Sequence, residues 1–439
     1  SLAYLLSGTG TGKYPDPVTL NFTHALAKVR ITPSDDALGE VQSLQLYTYT
    51  QCTYEKGNAG QGSQEGWIEM KKCEYTESGA TTTCWEANVV PGYAISRLRA
   101  NGTEERDLSA TFTPEAGKFY NITLDKDKGY TDDGHGNYTV TSAEGLKNIA
   151  ELVNEEWKLD INITLTNNID LTGIDWTPIG KDDNKAYTGT FDGNGKTITG
   201  LTVTTSDQYA GLFGFIGSGG KVMNVVLEDV KIESNNEMSA VGGVAGRSYG
   251  GKIENCSVSG SVSGTVYVGG VVGAQWEGSI TGCSSSATVK GMVHVGGVVG
   301  QTNGGATLTA CYATGNVTLE IDPKKNIAGG SLVGFNGGNG VRACYATGNV
   351  TSTGSSTGNV HIGGFFGDNY TSVTACYWKN NHEQGIGYNK EGIAPEVTKV
   401  DGSVVTWQKA VDAMNTALQN AGSEWRYELK GALPTLKKQ

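Results

Sequence analysis

GGVVG at Gly269–Gly273 returns letter for letter at Gly296–Gly300, and the reading of this phrase decides the fold. Looser copies flank it: GLFG at Gly211–Gly214, GGVAG ending at Gly246, GGSLVG ending at Gly334 and GGFFG ending at Gly367. The steps between final glycines are 32, 27, 27, 34 and 33 residues. A near-constant period of this size marks a stacked repeat, in which each unit buries its apolar face only against its neighbours. About ten residues after each phrase comes a second anchor, an apolar residue three positions before a small one. The pairs are Val222/Val225, Ile253/Cys256, Ile280/Cys283, Leu308/Cys311, Val341/Cys344 and Val373/Cys376. Short alternating runs of Val, Ser, Thr, Asn and Gly lie between the anchors. They are strand and turn signals, which exclude helical repeats and make one repeat one coil of a β-solenoid.

Composition narrows the function. With 64 Gly and only 9 Pro in 439 residues, glycine marks tight corners rather than collagen or Pro-rich linkers. A net charge of −12 without a basic stripe repels phosphate backbones, so nucleic acid is not an expected partner. No run of apolar residues is long enough to span a bilayer as a helix. The opening SLAYLL lacks a charged n-region and a cleavage site, so a signal or lipid anchor is expected upstream of it.

Eight cysteines divide into two groups. Cys256, Cys283, Cys311, Cys344 and Cys376 share one repeat position and are expected to form a buried column of reduced packing thiols. They lack the clustering and accompanying His that a metal site needs. Cys73 and Cys84 are symmetric about Ser78-Gly79, a hairpin turn that would set them opposite each other. Whether they and Cys52 are oxidised stays open at this point.

Residues 1–128 do not repeat. Strand-like runs stand at Val18–Phe22, Ala27–Ile31, Ser43–Tyr49, Trp67–Met70, Cys84–Val90 and Lys118–Leu124, separated by turn clusters. This pattern predicts an antiparallel β-sandwich. NFTHALAKVRI (Asn21–Ile31), the corner at Pro91-Gly92 and AGKFYNITL (Ala116–Leu124) resemble the fimbrillin-like proteins of Gram-negative bacterial surfaces. That resemblance implies a surface location and assembly with pilus-type subunits. The polar, glycine-rich stretch from Asp125 to Gly136 is expected to be an interdomain linker, placed at 129–137.

Ser142–Glu155 carries a capping serine and apolar residues Leu146, Ile149, Ala150 and Val153 at helical spacing, and is expected to plug the open end of the solenoid. ITLTNNIDLTG (Ile163–Gly173), WTPIG (Trp176–Gly180) and YTGTFDGNGKTITGLTV (Tyr187–Val203) follow as irregular first coils. With the GLFG and GGVVG phrases, they resemble the GLUG-motif β-helix proteins found in bacterial adhesins and beside some secreted peptidases. The resemblance covers roughly residues 138–380 and implies a right-handed parallel β-helix, the hand that parallel crossovers generally take. Residues 381–439 leave the repeat. Trp407, Ala410, Val411, Met414 and Leu418 mark an amphipathic helix there, expected to cap the other end. The fold class is therefore all-β: a sandwich followed by a parallel β-helix with helical end caps.

Catalytic signals are thin. Between Val241 and Thr318 the charged residues are Arg247, Lys252, Glu254, Glu277 and Lys290. Glycosidic hydrolysis needs two carboxylates about one bond, and Asp229 and Asp368 have no aligned acidic partner. Neither HExxH nor GxSxG nor a phosphate-binding loop occurs. The expectation is a non-enzyme without cofactor or metal. Aromatic residues do line up. Tyr312, Tyr345 and Tyr377 follow the ladder cysteines and are expected to point outward. Tyr249, Trp276 and Tyr370 stand at a corner, while Tyr267, His294, Ile327 and His361 precede the GG. Stacked identical positions stabilise a solenoid without any ligand, yet exposed aromatic columns also offer flat faces for sugar rings or a partner protein. Tyr312, Tyr345, Tyr377, Tyr249, Trp276, Tyr267 and His294 are the candidate binding residues. Longer connections at Ser234–Met238, Asp322–Asn326 and Ser352–Asn359 would leave a notch beside Tyr267 and His294. The expectation is a bacterial cell-surface adhesion protein, outer-membrane-associated and extracellular, whose partner is a protein or glycan on another cell. A glycan-binding or carbohydrate-active β-helix and a structural spacer are the alternatives.

Overall fold

A computed structural model describes residues 6–9, 21–55, 58–77 and 79–439. The chain forms two units, Ser1–Asp127 and Lys128–Gln439. The opening at Ser1–Leu5, the expected strand start at Val18 and the Ser78 turn position lie outside the described residues.

In the first unit, two four-stranded sheets enclose one core. One orders Phe119–Leu124, Ala27–Pro33, Ala80–Val89 and Lys71–Glu77; the other orders Asn58–Glu69, Leu44–Glu55, Ile95–Ala100 and Glu104–Phe112. Val29, Ile31, Trp85 and Val89 from the first pack with Leu44, Leu46, Ile95 and Leu98 from the second. Strand alternation puts these on one face and charges on the other. The expected sandwich is present with one correction, since Phe119–Leu124 pairs parallel to Ala27–Pro33. The strands at Ile95–Ala100 and Glu104–Phe112, rich in charge, carry little apolar signal and were not expected.

The second unit is a parallel β-solenoid of about 8 turns. Each full coil contributes to four stacked sheets. In the coil after Ser239 these pass through Ala240–Gly242 (sheet I), Ala245–Tyr249 (sheet II), Lys252–Glu254 (sheet III) and Ser257–Ser263 (sheet IV). The four sheets hold 6, 7, 10 and 13 strands. The anchor alignment read from the sequence is the observed register: Val222, Ile253, Ile280, Leu308, Val341 and Val373 stack in sheet III, all buried. The five cysteines behind them are buried and free. The backbone N–H of Cys283 donates to Cys311 Sγ (3.4 Å) and that of Cys311 to Cys344 Sγ (3.3 Å), so the column is continuous there. Burial pushes the thiols of Cys256, Cys311 and Cys344 well up, which keeps them protonated.

The GGVVG phrase turns the chain between sheets I and II, and its last glycine is a point of close approach. A Cβ at Gly273 would sit 2.5 Å from Val241 N and 2.8 Å from Tyr267 O, both backbone atoms of sheet I. No side chain fits there. Inside sheet II, Thr302, Asn336, Asn369 and Asn389 form a polar ladder. Thr302 Oγ1 donates to Asn336 Oδ1 (2.8 Å), Asn336 Nδ2 to Asn369 Oδ1 (2.7 Å) and Asn369 Nδ2 to Asn389 Oδ1 (2.8 Å). In this way, the buried amides satisfy one another from coil to coil.

The helix Ala143–Glu155 is capped by Ser142, whose Oγ accepts from Gly145 N, and Leu146, Ile149 and Val153 enter the solenoid core beside its first strands. Asn154 at its end is fully satisfied, donating to Pro178 O and accepting from the N–H groups of Gly180 and Lys181. The stretch expected to be a linker is folded instead. Tyr130–Asp132 pairs antiparallel with Asn137–Val140, the first parallel strand of sheet III, and the Asp133 carboxylate accepts from the N–H groups of His135 and Asn137 to hold the turn.

The C-terminal stretch also departs from expectation. Ile386–Asn389 and Val397–Lys399 continue sheets II and IV as a further partial coil. The helix Trp407–Asn420 and the hairpin of Trp425–Glu428 with Thr435–Lys438 then dock on the flank of the solenoid rather than on its end. Trp407, Ala410, Val411, Met414 and Leu418 cluster with Ala310, Ala343 and Tyr345. Ala310, Ala343 and Ala375 hold left-handed conformations (φ 53°, 51° and 50°) at the sheet III–IV corner, where Asn224 and Asn255 stand in earlier coils. Alanine in that region costs ~1 kcal/mol or more. At Ala310 and Ala343, burial of large apolar side chains against the corner, each contributing ~2 kcal/mol, offsets it.

Candidate functional site: an aromatic strip along one corner

The column containing Tyr312, Tyr345 and Tyr377 is in register as expected, but it is not a free surface. The C-terminal layer covers it. Tyr345 is 1% exposed, stacked on Tyr312 (4.9 Å between centroids, 2° between planes) and edge-on to Trp407 and Tyr427. Its hydroxyl donates to Pro434 O at 2.6 Å. The physical reason is that outward-facing rings stacked in a column are themselves a large apolar face, and the chain supplies its own cover. One coil earlier in this register stands Ser284 and two coils earlier Ser257, so the ring column stops at Tyr312.

The other candidates converge on the outer corner between sheets I and II. In sheet I the outward register runs Tyr209, Ala240, Tyr267, His294, Ala328, His361. In sheet II it runs Phe215, Arg247, Ala274, Gln301, Phe335, Asp368, Tyr388. Ala328, not Ile327, holds the position in its coil, because Gly330-Ser331 rather than Gly329-Gly330 aligns with Gly296-Gly297. Large residues in one column stand across from small ones in the other: Tyr267 with Ala274, Phe335 with Ala328, Arg247 with Ala240. The connections before Tyr267 and His294 are short, as the notch requires.

At its N-terminal half the strip is closed. Tyr209 and Phe215 meet edge to face (5.5 Å) and are buried, while the Arg247 guanidinium lies over the rings of Phe215 (5.3 Å) and Trp276 (5.2 Å). Arg247 Nη1 donates to Tyr209 OH at 3.1 Å. Tyr249 is exposed at the outer edge beside Trp276, its hydroxyl 3.3 Å from Glu277 Oε1. Toward the C-terminal half the rings form one chain: Tyr267 to His294 (5.6 Å), His294 to Phe335 (4.9 Å, 19°), Phe335 to Tyr370 (5.1 Å), Tyr370 to Tyr388 (5.7 Å) and Tyr388 to His361 (5.1 Å, 18°). Tyr370 and Tyr388 are 38% and 39% exposed. His361 Nδ1 lies 2.6 Å from the buried carboxylate of Asp368, whose pKa is raised by burial. Burial also lowers the pKa of His294 to about 4, so this ring is neutral at pH 7.

Sequence reading named Tyr267, His294, Trp276 and Tyr249 and missed Phe335, Tyr388 and the His361–Asp368 contact. Phe335 lies directly after a phrase glycine and Tyr388 beyond the last phrase, where counting from GG gives no register. An outward-facing column on a strip already containing Tyr267 and His294 was the available signal.

The chain is a parallel β-solenoid, and two of its coils carry a recognised repeat motif. The family model described as "The GLUG motif" matches residues 239–263 and 264–290, the two coils around the strip's middle. "Halomucin" of Haloquadratum walsbyi is 28% identical over 244 residues, 51% of this chain and 3% of that protein. A "Putative Gly-rich membrane protein" of Evansella cellulosilytica is 36% identical over 124 residues, 28% of this chain and 14% of that one. The chain thus spans a small fraction of the curated relatives it matches. Among solved structures, a "putative immunoglobulin A1 protease" from Bacteroides ovatus superposes with a TM-score of 0.51 at 19% identity, covering 70% of this chain and 93% of that one. At that identity the likeness is one of fold. No helix among the described residues is long and apolar enough to cross a membrane.

Proposed function

We propose that this chain is a cell-surface adhesion protein whose solenoid presents the strip's open half to sugar rings on another cell. The carrying observation is the run of ring contacts from Phe335 to Tyr370 and Tyr388, two of these rings well exposed, beside the His361–Asp368 pair. Rigid aromatic faces offer large contact area at small entropic cost, and sugar C–H faces complement them. The half-buried His361 ring, held by the buried Asp368 carboxylate, supplies a hydrogen-bonding group next to that face. Relatives described as a halomucin and a Gly-rich membrane protein support a surface location. The first unit, with its fimbrillin-like sequence, would join the solenoid to the cell or to a pilus-type assembly. Catalysis is not part of the proposal, because glycoside hydrolysis needs two carboxylates about one bond and Asp368 is committed to His361.

The test is a glycan array probed with the full chain and with a Tyr370→Ala/Tyr388→Ala variant. At ~1 kcal/mol per stacked ring, the variant binds roughly 30-fold more weakly with an unchanged melting temperature. A structural spacer is the second reading, favoured by the closed N-terminal half, where Tyr209, Phe215 and Arg247 pack on one another. It prevails if no glycan or cell binds the parent chain, or if the variant binds equally well.

A further inference from the structure

Cys73 and Cys84 stand directly opposite each other on the hairpin strands Lys71–Glu77 and Ala80–Val89. Their sulfurs are 3.6 Å apart. Cys84 is fully buried, while Cys73 is half-buried and so reachable from one side. The ladder cysteines provide the contrast, being parallel side chains of successive coils, all enclosed in the core. Glu86 completes a group whose ligand atoms lie within 4.8 Å of one another, the spacing of a metal site. Its carboxylate is already engaged, however, by Lys28 Nζ at 2.6 Å and Arg30 Nη2 at 2.6 Å. A cation there would have to displace two fixed positive charges, whereas joining the two sulfurs displaces nothing.

We propose that Cys73 and Cys84 are a redox-active pair that closes to a cross-strand disulfide by exchange with a small disulfide donor. The Cys73 thiolate attacks one sulfur of the donor, releasing one donor thiolate and forming a mixed disulfide. Cys84, once deprotonated, attacks the Cys73 sulfur and expels the second donor thiolate. Two protein thiols are oxidised, one donor disulfide is reduced to two thiols, and the two protons pass to the released thiolates. The order of events follows from access: the half-buried sulfur meets the donor, and the buried one resolves. Burial and the neighbouring thiol raise the Cys84 pKa to about 11, so the second step is the slow one at neutral pH and accelerates as pH rises. The bond would staple the edge hairpin of the first unit beside Arg30, whose guanidinium lies 4.1 Å from the Tyr75 ring on the same hairpin.

The experiment incubates the full chain with oxidised glutathione, then denatures it, alkylates all free thiols and counts them by mass. The expected result is six alkylated cysteines of the eight, a Cys73–Cys84 cross-linked peptide after digestion, and full reversal by dithiothreitol. The oxidised first unit should melt on the order of 5 °C higher than the reduced one. In a Cys73→Ser variant the cross-link must vanish while the far-ultraviolet spectrum is kept. The proposal is overturned if all eight remain alkylatable, if the lost thiols map to Cys52 or to the ladder, or if the only product is stable glutathionylation of Cys73.

Discussion

Replacing Tyr345 by alanine tests whether the tyrosine column is an anchor for the C-terminal layer or a display surface. The ring is 1% exposed and touches Tyr312, Trp407 and Tyr427. Truncating a buried aromatic costs ~3–5 kcal/mol, made up of lost transfer energy plus the cavity left behind. The hydroxyl adds a second, separable part: Pro434 O loses its donor, which costs ~1 kcal/mol in Tyr345→Phe. These losses fall on the docking of residues 401–439, not on the coils, because the column Ile280, Leu308 and Val341 behind it stays intact. Hydrogen exchange is the assay. Amides of Trp407–Asn420 should lose protection by roughly two to three orders of magnitude in Tyr345→Ala, and by about one in Tyr345→Phe, while sheet III amides keep theirs. Trp407 and Trp425 report the same release by fluorescence. Unchanged protection of the helix, or an equal loss across the coils, would refute the reasoning. A triple alanine variant at Tyr312, Tyr345 and Tyr377 should therefore release this layer, rather than cost little as an exposed column would.

Three further outcomes are expected. Gly273→Ala places a methyl 2.5–2.8 Å from backbone atoms of sheet I and should destabilise the solenoid by ~3 kcal/mol or more in chemical denaturation. Gly305→Ala, with open space around it, should change stability by less than ~1 kcal/mol, and equal effects would dismiss the close-approach argument. The third concerns His294, neutral in the folded state with a pKa of about 4 against an ordinary value of 6.5. The unfolded chain takes up its proton first, so stability present above pH 6.5 declines as pH falls and levels off near pH 4, a total of about 3 kcal/mol. His294→Phe should remove that part of the acid sensitivity, and an unchanged pH profile would show that the ring is solvated.

The solenoid is written in the sequence. Period, phrase and anchor pairs are local signals repeated many times, so the register of sheet III and the burial of the cysteine ladder follow from them directly. Each coil has the same neighbours above and below, which makes stacking a one-dimensional problem. The helix at Ala143–Glu155 was equally legible, from its serine cap and one apolar face. Other features depended on contacts between residues distant in sequence. Whether the rings of Tyr345 and Tyr377 meet solvent or Trp407 is decided by where the last forty residues fold back, and an amphipathic helix has the same pattern whether it caps an end or covers a flank. One local trace existed, the alanines at 310, 343 and 375 in a position that asparagine fills elsewhere, but its meaning depends on knowing that the position is left-handed. The aromatic strip was only partly legible for a related reason: it joins two sheets across a corner, and one extra glycine at Gly329 shifts the count so that Ile327 takes the place that Ala328 holds between His294 and His361. Which residues repeat is written along the chain, but which surface remains open depends on packing against whatever folds over it.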